Sequence, residues 1–131
     1  MNSSQIFLVV AAVGLTPIAI SYGAMPQTSL EYLLDLSVES TNEKHIFRAI
    51  MGLYLALAVF WLFGAFNGKL RQAALWSLVV FMLGLAAGRT LSLIMDGIPH
   101  ILLLVYLMME LGFGVLGLLL LSRSGASVPD S

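Results

Sequence analysis

The sequence predicts an all-α fold: an integral membrane four-helix bundle with an amphipathic surface helix in its first outward loop. Three observations carry this reading. Hydrophobic residues fill 60% of the 131 positions and charged residues 10%, and mean hydropathy is +0.98, a balance rare in soluble domains. The apolar residues gather into four runs, at 6–22, 46–66, 73–95 and 101–121. Each is long enough to cross hydrocarbon, which takes about 17–25 residues. With connections this short, one chain of this length makes a single domain over 1–131, without room for a large soluble unit.

The first run is the shortest, and the small residues at 21–25 give it some look of a signal peptide. Residues 1–5 carry no basic charge, which favours a retained helix. Within it, Pro17 follows Thr16 and is expected to kink the helix and release the carbonyl of Val13. The loop from Gly23 to Lys44 is too long for a turn. Leu30, Leu33 and Leu34 share one helical face there, opposite Glu31, Asp35 and Glu39, as in a helix lying along a membrane surface. Pro26 precedes that helix. Ser40 and Glu43 have capping-box spacing for the second spanning helix. The remaining three runs are long enough to span even when tilted, and the tail over 122–131 reads as flexible.

Charge sets the expected orientation. The link between the second and third runs carries Lys69 and Arg71 with no acidic residue, whereas the first loop carries Glu31, Asp35, Glu39 and Glu43 against Lys44. Positive residues stay inside, so both termini are expected in the cytoplasm of a bacterial inner membrane, with the acidic loop and the Asp96 to His100 turn outside. Trp61 and Trp76 are expected at the inner interface. Net charge of −1 gives no basic field for nucleic acid. The absence of cysteine removes disulfide and thiolate chemistry and leaves compartment unreadable from redox.

Buried charge is what such a chain must explain, because a charge in hydrocarbon costs from a few to well over ten kcal/mol unless paired or wetted. Counting inward at about 1.5 Å per residue puts Arg48 near the outer interface, Arg89 about 9 Å deep and Glu110 about 13 Å deep. Arg89, Ser92 and Asp96 project from one face of the third helix, and Tyr106 lies one turn outward from Glu110. A ladder is expected, Arg48 with Asp96 at the rim and Arg89 with Glu110 below. Tyr54 sits at the depth of Glu110 but about 120° round its helix from Arg48, so one of those two faces elsewhere. The ladder either holds the helices together or lines a pocket in which arginines grip a polar head while apolar walls hold a tail.

Gly84 and Gly88 form a GxxxG ridge on another face from Arg89. With Gly52, and with Gly112, Gly114 and Gly117 thinning the fourth helix, they are expected to serve close helix packing more than dimerisation. Catalytic residues are not apparent: Ser92 has no histidine at its depth, and no phosphate-binding glycine loop occurs. His45 and His100 lie near Glu43 and Asp96 at the outer edge but lack HxxxH or HExxH spacing, so interfacial caps are preferred over a metal site. No cofactor is required.

The run His45-Ile46-Phe47-Arg48-Ala49-Ile50-Met51-Gly52-Leu53-Tyr54, then Gly88-Arg89 with Ser92, then Asp96-Gly97 with Pro99 and Glu110, resembles a small bacterial four-helix membrane family known only as domain of unknown function 4345. The resemblance spans most of the chain from the second helix onward. It implies that Arg48, Gly52, Tyr54, Arg89, Asp96 and Glu110 work as one set, and it brings no activity. The expected function is a membrane protein that binds a lipid-like or amphiphilic ligand or acts as an accessory, rather than an enzyme. The rivals are a proton-linked small transporter acting as a dimer and a structural subunit of a larger complex. Expected partners are membrane lipid, an amphiphilic small molecule, and a second copy or another membrane protein.

Overall fold

The computed structural model describes residues 1–127, with side chains through Arg123. Five helices follow one another: α1 (Ser3–Gly23), α2 (Pro26–Leu34), α3 (Thr41–Phe66), α4 (Gly68–Asp96) and α5 (Ile101–Ser127). Four of them, all but α2, are long and apolar enough to cross a membrane. They extend past the apolar runs because polar caps add turns that hydropathy does not register. Asn2 and Gln5 form a capping box that starts α1 three residues before the apolar run, each side chain bonding the other's backbone N–H at 2.8 Å. The expected box of Ser40 and Glu43 starts α3, with backbone-to-side-chain bonds of 3.0 and 3.1 Å. Residues 122–127, expected as flexible tail, continue α5, and residues 128–131 lie outside the described part.

The amphipathic segment forms α2, with Pro26 at its first turn, where a missing N–H costs nothing. Leu30 is buried while Glu31 and Asp35 are exposed. The helix stops at Asp35, whose φ of 55° is left-handed. Leu36 N–H reaches back to the Leu30 carbonyl at 3.1 Å, which satisfies an orphan acceptor at the C-terminus. Tyr32 stands on the outer face, 88% exposed.

Helix packing follows seams of three- and four-residue steps. On α1 the buried positions are Leu8, Ala11, Ala12, Leu15, Ala19 and Tyr22; on α3 they are Tyr54, Ala58, Trp61 and Ala65. Alanine on both seams lets the two backbones approach closely, and α1 packs most extensively on α3. Next in extent is α4 on α5, then α3 on α4, whereas α1 barely meets α4 or α5. The four long helices therefore associate as a chain of neighbours, α1 to α3 to α4 to α5, and the α1/α5 seam is left largely open. At the end nearer the α1 N-terminus that seam is closed by Phe7 and Phe113, ring centroids 5.4 Å apart.

One sequence expectation about packing changes here. Gly52, Gly84 and Gly88 make no close contact: a Cβ on any of them would meet nothing within 4 Å. The GxxxG ridge faces away from the other helices because Met82 and Ala86 supply the buried seam of α4. The glycines that do permit close approach are Gly23 against Met51, Gly64 against Ala74, Gly114 against Leu83, and Gly117 against Val79. Trp61 is fully buried between helices, its indole N–H donating to Ser77 Oγ at 3.0 Å, whereas Trp76 is half exposed.

Candidate functional site

The α5 seam reads Leu107, Glu110, Gly114, Gly117, Leu121, all buried; the carboxylate thus occupies a packing position. Its partner comes from the adjacent helix. Arg89 Nε lies 2.9 Å from Glu110 Oε1 and 3.0 Å from Oε2, so a single N–H straddles both oxygens. The side chains of Arg89 and Glu110 are 22% and 8% exposed, a depth at which an unpaired charge would be costly. The guanidinium carbon sits 5.6 Å from the centroid of the Tyr106 ring, within cation–π range. The Tyr22 hydroxyl approaches the same guanidinium more loosely. Among the described residues, the two terminal nitrogens make no hydrogen bond of strict geometry, and no buried polar side-chain atom lacks a partner. The spare donors therefore open onto accessible space.

One space that Arg89 borders is the mouth of the α1/α5 seam. A cleft runs between Gly14, Leu15 and Ile18 of α1 and Met109 and Phe113 of α5, with Tyr54, Phe81 and Met82 behind and Arg89, Tyr106 and Glu110 at one end. Its interior is a cavity of ≈ 40 Å³, and with the open mouth it holds ≈ 470 Å³. The interior alone has room for a few waters, so anything larger lies along the groove with one flank uncovered. Gly14 contributes to the opening, since a Cβ there would meet nothing within 4 Å. The back wall is held by edge-to-face aromatic pairs: Tyr22 with Tyr54, Tyr54 with Phe81, and Trp61 with Phe81, at centroid distances of 5.7, 5.1 and 5.7 Å. Such pairs fix ring positions beyond what burial alone does. Beyond Arg89 a second cavity lies between α4 and α5, lined also by Ser92, Gly97, Pro99 and Leu107. Arg89 borders both.

The residues singled out in the sequence thus divide. Tyr54, Arg89, Tyr106 and Glu110 converge from three helices on the cleft. The outer rung of the ladder does not form. Arg48 donates instead to the Gly23 and Ala24 carbonyls, at 2.8 and 3.3 Å, where it satisfies the last acceptors of α1 and meets the negative end of its dipole. Asp96 accepts from Ser92 Oγ at 2.7 Å, one turn back on its own helix. The 120° offset between Arg48 and Tyr54 is the reason: with Tyr54 turned inward, Arg48 points to the end of α1. Gly52 lies on an exposed face.

Tyr22, Gly14, Phe81 and Phe113 were not anticipated. Tyr22 was the legible one, since it ends the first apolar run, within an arginine side chain's reach of the Arg89 level. His45 and His100 are both exposed, and the His100 ring accepts the Leu102 N–H at 3.1 Å, an interfacial cap at the start of α5. No group of three or more His, Asp or Glu comes together among the described residues.

A family model described as a domain of unknown function (DUF4345) matches residues 3–121. No curated protein and no solved structure matches the chain.

Proposed function

We propose that this chain, which belongs to the DUF4345 family, is a four-helix bundle of the bacterial inner membrane that holds a lipid-like amphiphile in its α1/α5 cleft. The polar head lies against Arg89, and the tail runs along Gly14, Ile18 and Phe113 toward the closed inner end. One observation carries the reading: a buried ion pair at the end of an apolar groove keeps its terminal guanidinium nitrogens free of any strict hydrogen bond, with only the looser approach of Tyr22 beside them. A pair that served cohesion alone would gain by spending them on protein acceptors. The open side of the groove faces where acyl chains would be, so a tail enters sideways without crossing water.

Orientation is part of the proposal. Lys69 and Arg71 at the tight α3/α4 turn support placing that end in the cytoplasm with both termini. The exposed acidic residues around α2 support placing the Arg89 end outside.

Native mass spectrometry of the protein released from mild detergent tests this reading. The expected spectrum carries a stoichiometric adduct of amphiphile mass that is absent after Arg89→Gln/Glu110→Gln substitution. A bare polypeptide mass, with solvent extraction yielding no stoichiometric small molecule, would overturn it. The same spectrum reads the rivals: a doubled mass marks the dimer a small transporter needs, and a second protein marks a subunit of a larger complex.

A further inference from the structure

The charges and donors at the cleft specify the head group, and this inference rests on the amphiphile-binding reading above. We infer that the cleft takes an amphiphile with an uncharged head bearing a carbonyl acceptor on a hydrocarbon tail, and excludes anionic and cationic heads. Glu110 already compensates Arg89 at 2.9 Å, so the pair is electrically closed. No other charge reaches the cleft lining: Arg48 is committed to the end of α1, and Asp96 to Ser92 on the outer side. An anion entering would leave one uncompensated negative charge in an apolar groove, and a cation one positive charge; either is expensive there.

The hydrogen-bonding inventory is equally one-sided. Arg89 has two terminal nitrogens without a strict hydrogen bond, approached loosely by Tyr22, and Tyr54 and Tyr106 belong to the same lining. Both Glu110 oxygens are already engaged by Nε. An apolar, charge-neutral wall with a few donors at one end matches an acceptor without charge, such as a ketone, quinone or ester carbonyl. Phe7 and Phe113 close one end of the groove, and Leu15, Phe81 and Met82 line it with apolar surface for a hydrocarbon tail.

Three probes with similar chains and different heads test this: methyl decanoate, decanoate at pH 8 and decyltrimethylammonium. Each is titrated calorimetrically into the full-length protein in dodecyl maltoside. Methyl decanoate is expected to bind at least tenfold more tightly than either ion. Decanoate binding as tightly or more tightly overturns the head assignment, and three equal affinities overturn it too while leaving amphiphile binding standing. No binding by any probe, together with a bare native mass, overturns the amphiphile reading itself. Glu110→Gln leaves Arg89 uncompensated and should shift the preference at least tenfold toward decanoate; an unchanged preference would sink the charge argument. Should that variant fail to fold, Arg89→Gln/Glu110→Gln decides: methyl decanoate should bind at least fivefold more weakly than to wild type. Undiminished affinity there would remove Arg89 from the head site.

Discussion

Arg89 meets Glu110 through one nitrogen, Nε, placed 2.9 and 3.0 Å from the two carboxylate oxygens, rather than through the two-nitrogen fork that arginine more often presents to a carboxylate. The geometry leaves the two terminal nitrogens off Glu110, with Tyr22 near the guanidinium and the cleft beside the residue. It also makes the pair's stability separable from the cleft's chemistry, because neutralising both partners removes the stranded charge while leaving the groove walls in place.

Glu110→Gln should therefore destabilise the protein by about 3 kcal/mol, the usual cost of leaving a buried charge without its partner. Arg89→Gln with Glu110→Gln should recover at least half of that. Thermal unfolding in detergent, followed by circular dichroism, checks both; single variants as stable as wild type would mean the charges are wetted.

The glycines divide into two kinds that substitution can tell apart. A Cβ at Gly64 would overlap the Ala74 side chain, whereas one at Gly84 would meet nothing. Gly64→Ala should cost about 1–3 kcal/mol through overpacking, and Gly84→Ala should stabilise α4 by up to about 1 kcal/mol through helix propensity. Unfolding midpoints of the two variants should fall on opposite sides of wild type.

Arg48 acts on the end of α1 and not on the cleft. Arg48→Ala should lower stability by about 1 kcal/mol, the scale of a lost charge-assisted cap, without altering binding of methyl decanoate. Calorimetry showing a lost ligand would return Arg48 to the binding site.

Topology is open to direct labelling. Single cysteines at Ser37 and Gln72, both exposed positions, should differ on intact cells: an impermeant maleimide should label Ser37→Cys and spare Gln72→Cys until the membrane is permeabilised. The reverse pattern would place the Arg89 end in the cytoplasm.

The helices and the central ion pair were legible in the sequence for different reasons. Apolar runs mark the spanning segments, but their ends depend on caps such as Asn2 and Gln5, which hydropathy averages away. Depth along a helix axis predicted that Arg89 would reach Glu110, since about 4–5 Å of axial offset is well within an arginine's length. The same depth argument failed for Arg48 with Asp96, because depth carries no azimuth and each found a partner within its own neighbourhood. Glycine spacing misled for a related reason. GxxxG advertises a smooth face, yet which face turns inward is set by Ala74, Leu78, Met82 and Ala86. The isolated Gly64 gives no pattern to find, although it makes one of the tightest crossings.

Asn67 is the sole residue between α3 and α4, ending one and capping the other through its bond to the Lys69 N–H at 3.0 Å. Arg71 reinforces the joint by donating to the Gly64 and Ala65 carbonyls at 3.3 and 3.0 Å. A connection this short has no slack, so the second and third long helices behave as a rigid bracket to which the first and last are fastened as separate leaves. Widening the groove means parting α1 from α5, the pair of touching long helices that pack least on each other. The aromatic contact between Phe7 and Phe113 is the latch that such a parting must release.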